Sequence, residues 1–184
     1  MTRTITFFAL LIVAFVLSNC KSGDSVTPNQ NAAQLLARKW DFGELVIQTD
    51  AKAYSVIQPA SVENQLTFLT NGTYTYVDNS VAKSGKWVLS NGDKTLTTTD
   101  AKGAQNTRQI TALTTTACEF RSTTVDVTKS DDPLSPKYTP EEQSVYYTGL
   151  LILFSLDKQN GGTLDLSKEP KPKTIQLVVK GKAI

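Results

Sequence analysis

The amino-acid sequence predicts an all-β domain of eight or nine antiparallel strands preceded by one short helix, closed as an up-and-down barrel or paired as a two-sheet sandwich. Three observations carry that expectation. Short stretches of alternating apolar and polar residues recur along most of the chain, as in Leu66 and Phe68, Tyr74 and Tyr76, Trp87 and Leu89, and Ile175, Leu177 and Val179. Asn-Gly turn signals stand between several of them, at Asn71-Gly72 and Asn91-Gly92. No repeated helical pattern of the kind that alternates with strands in a doubly wound α/β fold separates them. One apolar face per strand suits either closure, and 184 residues suffice for one core of ordinary size.

Residues 1–19 stand apart from the domain. Arg3 supplies a positive start, and Phe7 to Leu17 is an uninterrupted apolar run. That run is shorter than the roughly 17–25 residues needed to span a bilayer and fits a secretory signal peptide. Leu17-Ser18-Asn19-Cys20 resembles the lipobox of bacterial lipoproteins. The resemblance implies that Cys20 becomes a lipidated N-terminus, which places the protein in the cell envelope, held to a membrane on its periplasmic or surface face. Several acyl chains at ~0.8 kcal/mol per buried methylene would make such an anchor stable. Residues 20–31 are polar, with Gly23 and Pro28, and read as a tether reaching roughly 17–20 Å. The domain then occupies 32–184.

Asn31 is an N-cap in front of good helix formers, so 31–38 is expected to hold the short helix. Strands are expected at 40–48, then at 65–70 and 73–77 around Asn71-Gly72, then at 85–90 and 94–99 around Asn91-Gly92-Asp93. Thr107 to Thr116 and Glu119 to Val127 form another pair. Val145 to Asp157 and Thr174 to Lys180 complete the set, with Asn160-Gly161-Gly162 as a turn between them. Leu150 to Phe154 is apolar on both faces and is expected as a strand covered on both sides. Val127 to Gln143 holds Pro133, Pro136, Pro140 and the acidic residues Asp131, Asp132, Glu141 and Glu142, which predicts a long loop or lid.

Composition narrows the chemistry. The chain has no histidine, which removes a Ser-His-Asp triad, a Cys-His dyad, a His-ligated zinc and a His-bound haem. Its net charge of +2 argues against nucleic acid as a partner. With Cys20 consumed by lipid, Cys118 has no disulfide partner in the chain and reads as a small buried hydrophobe. The acidic residues of 127–143 lack the dense spacing of a calcium loop, so no metal and no cofactor is expected.

Leu36-Ala-Arg-Lys-Trp40, Leu66-Thr-Phe-Leu-Thr-Asn-Gly-Thr-Tyr-Thr-Tyr76, Gly85 to Thr98 and Ile110-Thr-Ala-Leu-Thr114 together resemble the bacterial lipocalin-like domain, over roughly residues 35–125. The resemblance implies the barrel rather than the sandwich, with an apolar interior. Arg38 stands where that family usually carries glycine. Trp40 beside it would close one end of the barrel with the basic side chain stacked on the indole. Phe68, Tyr74, Tyr76, Trp87 and Leu89 are then the candidate lining of a ligand cavity. The same side chains could instead fill the barrel solidly. The expectation is a lipid-anchored envelope protein that binds a small hydrophobic or amphipathic ligand without catalysis. Its alternative is a filled barrel that serves as an interaction module for another envelope protein.

Overall fold

The computed structural model describes residues 31–184; the signal-peptide, Cys20 and tether expectations lie outside the described residues. Asn31 caps the short helix α1 (Ala32–Leu36), its side chain accepting from the Gln34 amide at 2.9 Å. Strand β1 (Lys39–Thr49) follows, then β2 (Ala53–Ile57), a 3-10 turn at Val62–Asn64, β3 (Gln65–Phe68), β4 (Thr73–Asp78), β5 (Val81–Ser90), β6 (Thr95–Thr99), β7 (Gln105–Leu113) and β8 (Ala117–Arg121). A two-residue β9 (Val125–Asp126), helix α2 (Pro140–Leu156) and β10 (Thr174–Ala183) complete the order.

Eight strands close a ring of antiparallel pairs in the order β1-β3-β4-β5-β6-β7-β8-β10, and β10 returns to β1. The domain is thus an all-β up-and-down barrel with a short helix in front. The turns follow from residues that tolerate positive φ. Gly72 (φ 78°) ends the β3–β4 loop, Asn79 and Ser80 (φ 49° and 62°) make the two-residue β4–β5 turn, and Asn91, Gly92 and Asp93 (φ 54°, 63° and 66°) turn β5 into β6.

Strands β1 and β10 are longer than the ring needs. One edge of β1 carries β3 along Lys39–Asp41 and β2 along Glu44–Gln48, end to end, with a bulge between Asp41 and Glu44 in its pairing with β10. One edge of β10 likewise carries β8 along Val178–Lys182 and β9 along Thr174–Ile175. The far halves of β1 and β10 therefore run past the rim as a small sheet of their own, and α2 packs across it. Two cores result. The barrel core is built on Trp40, Phe68, Trp87 and Phe120, and the helix-covered core on Ile47, Val125, Tyr146 and Ile175.

Helix α2 overturns the expected strand at 145–157 and the expected covered strand at Leu150–Phe154. The deciding signal lies just upstream, in Thr139-Pro140-Glu141-Glu142. Thr139 accepts from the Glu142 amide, the Glu142 carboxylate accepts from the Thr139 amide at 2.8 Å, and proline sits in the first turn. This is a capping box, and it converts an apolar run of ambiguous period into a helix. Gly149 lets α2 approach the sheet closely, since a Cβ there would stand 2.9 Å from Ile175 Cγ2. The expected loop at 127–143 shortens accordingly to 130–139, after a 3-10 turn at Val127–Lys129. It is pinned by buried Tyr138, whose hydroxyl donates to the Ser130 carbonyl at 2.9 Å. Further differences include β2, which was not expected, β5, which begins at Val81 rather than Gly85, β7, which covers Gln105–Leu113 rather than 107–116, β10, which runs on to Ala183, and the 119–127 strand, which divides into β8 and β9. Among the described residues no helix is long and apolar enough to cross a membrane.

Candidate functional site

The barrel interior is packed at one end and hollow at the other. At the packed end, α1 lies against the opening through Leu36, fully buried beside the fully buried Trp40. Trp40 donates its indole N–H to the Leu36 carbonyl at 2.9 Å, and the Arg38 guanidinium sits 5.6 Å above the indole ring. Arg38 also donates to the carbonyl of Thr115 in the β7–β8 turn, so it ties both sides of this end together. Trp87 is held in the same packed region by its N–H, which donates to the Leu69 and Thr73 carbonyls at 3.1 and 2.9 Å. Cys118 is buried here as well; burial pushes its thiol up to about 12.

The hollow end holds a cavity of about 380 Å³. Seven of the eight ring strands border it: Phe42 from β1, Leu66 and Phe68 from β3, Tyr74 and Tyr76 from β4, Leu96 and Thr98 from β6, Asn106 and Arg108 from β7, Phe120 from β8 and Val179 from β10. Glu63 and Asn64 of the 3-10 turn stand at its edge. A second cavity of about 370 Å³ continues toward the first turns of α2, where Pro140, Glu141 and Ser144 border it. Phe42, Asn106, Arg108 and Val179 line both spaces, so the two adjoin.

Five of the thirteen bordering side chains are aromatic. Tyr74 and Tyr76 stack with centroids 5.6 Å apart, Phe68 packs on Tyr74 at 5.9 Å, and Phe42 meets Phe120 at 5.7 Å. Burial, and then the neighbouring Tyr76, raise the Tyr74 hydroxyl above its ordinary value, so it is a neutral donor. Two glycines make room for these rings. A Cβ on Gly85 would fall 2.5 Å from the Tyr74 ring, and one on Gly181 would fall 2.6 Å from Phe42.

Of the residues singled out from sequence, Phe68, Tyr74 and Tyr76 border the cavity, whereas Trp87 and Leu89 belong to the barrel core without lining it. Trp40 and Arg38 lie at the opposite end, under α1. The sequence did not single out the other lining residues, among them Phe42, Phe120, Val179 and Arg108. Arg108 had a readable signal, because it shares inward parity with Ile110 on β7 and pairs with Leu96 of β6.

The closed antiparallel eight-stranded barrel is consistent with a lipocalin-like fold. Comparison with protein families, with curated proteins and with solved structures finds no match to this chain.

Proposed function

We propose that this protein is a lipid-anchored component of a bacterial cell envelope whose lipocalin-like barrel binds a small hydrophobic or amphipathic molecule and performs no catalysis. The observation that carries the reading is the 380 Å³ cavity walled by rings and aliphatic side chains from seven strands. That size lies within the range of ordinary ligand pockets. Transfer of an apolar ligand from water into it gains ~25 cal/mol per Å² of surface covered. The Tyr74 and Tyr76 hydroxyls supply polar contacts that fix orientation. The anchoring part of the proposal rests on Leu17-Ser18-Asn19-Cys20 alone.

Native mass spectrometry of the protein after incubation with an envelope lipid extract tests the binding. A retained small-molecule mass at one copy per chain is expected, and no retained mass across the whole extract would refute it. Cys20→Ser is expected to move the protein from the detergent-extracted to the soluble envelope fraction. Continued membrane retention would contradict the anchor.

A second reading has one observation in its favour. Tyr147, Leu151 and Phe154 of α2 are 48%, 51% and 62% exposed, an apolar stripe suited to contact with another envelope protein. It is compatible with a filled or an occupied barrel.

A further inference from the structure

Arg108 is the one basic side chain that borders either cavity at the hollow end, and it is poorly matched to its surroundings. Its Nη1 is buried and has no hydrogen-bond partner. None of the ion pairs among the described residues includes it. Burial works against its charge, and Glu141 at the start of α2 is the one group that offsets this, from beyond ion-pair distance. A guanidinium cannot shed its proton under ordinary conditions, so a buried one without a counter-charge is a cost that a bound anion would remove.

The rest of the cavity restricts that anion. Phe42, Leu66 and Phe120 leave the body of the ligand an apolar path along the barrel axis. There is no second lysine or arginine on the lining, and Glu63 and Glu141 stand at the two edges, which disfavours a doubly charged group. A planar guanidinium matches a carboxylate in a two-point geometry. We propose that the ligand of this barrel is an amphipathic carboxylate, its apolar chain among the aromatic side chains and its single charge on Arg108. This rests on the reading of the barrel as a ligand binder and narrows it to one chemical class.

Titration calorimetry of the full chain carrying Cys20→Ser, with decanoate and with decan-1-ol as probes, separates the two ideas. Decanoate is expected to bind one per chain, at least about tenfold tighter than the alcohol. Arg108→Met is expected to bring decanoate down to the alcohol's affinity, leave the alcohol unchanged and raise the melting temperature of the ligand-free protein. The acid–alcohol comparison needs no substitution at Arg108 and so stands even if that variant fails to fold. Equal binding of acid and alcohol, with Arg108→Met altering neither, would overturn the carboxylate while leaving the ligand-binding barrel intact. Binding of neither probe would overturn it too, and a neutral mass retained from the envelope extract would then show that the barrel reading survives alone.

Discussion

Gly85 faces Tyr74 across the β4–β5 ladder and has no room for a side chain. A Cβ there would lie 2.4 Å from the Thr99 carbonyl oxygen as well as against the Tyr74 ring, so both backbone and ring must shift. Gly85→Ala is expected to lower stability by about 1–3 kcal/mol in urea titrations, because overpacking a filled site forces strain. It is also expected to weaken ligand retention, since the displaced ring moves toward the cavity. Unchanged stability would mean that the ladder opens more easily than its geometry implies. Cys118 makes an opposite kind of prediction. With the thiol pushed up to about 12 and 3% exposed, it is expected to resist alkylation at pH 8 in the folded protein and to react once urea unfolds it. Peptide mapping by mass spectrometry distinguishes it from Cys20.

At the scale of elements, α2 depends on its first turn. Lys129 donates to Glu142 at 2.8 Å, and this contact, then the bond from the Thr139 amide, holds the Glu142 carboxyl below its ordinary value of 4.5. A carboxyl lowered by folding stabilises above its unfolded value, and that share is lost as pH falls through the folded value. Glu142→Gln is therefore expected to cost stability at pH 7 and to cost little at pH 3, as read by denaturant titration of the helical circular dichroism. Thr139→Ala removes the hydroxyl side of the cap and is expected to cost about 1 kcal/mol at both pH values.

The same helix shows what sequence could and could not reveal. The hairpins at Asn71-Gly72 and Asn91-Gly92 were legible because their turns demand positive φ, a local property that packing cannot easily override. Leu150 to Phe154 was not, because its exposed positions Leu151 and Phe154 are as apolar as buried Leu153, which leaves no period to read, and the Thr139–Glu142 cap was masked by its resemblance to loop composition. Tyr74 and Phe68 were legible as inward residues by alternation. Phe42 was hidden by the bulge between Asp41 and Glu44, which breaks alternation at the point where the cavity begins. Arg108 keeps its alternation with Ile110, but a charged side chain on a strand gives no local signal that it faces inward.

For the molecule as a whole, the long strands β1 and β10 are common to both cores. Ile47, fully buried beneath α2, shares a strand with Trp40 in the barrel core. Ile47→Ala is expected to cost about 2–5 kcal/mol. It is expected to shift the unfolding midpoint seen by tryptophan fluorescence, which reports the barrel, equally with that seen by helical circular dichroism, which reports α2. Separate midpoints would show the two cores melting independently. The ring itself has a further consequence, one of timing. Its seam pairs Trp40 with Ala183, near opposite ends of the domain. Hairpins from β3 to β8 can form as soon as their own residues are free to fold, but the outer edge of β1 and the free edge of β8 wait for β10. Long-range closure is slow beside hairpin formation, and an unpaired edge can template another chain. The interval before β10 docks is when newly made copies are most prone to join one another, and a holding chaperone would have its use there.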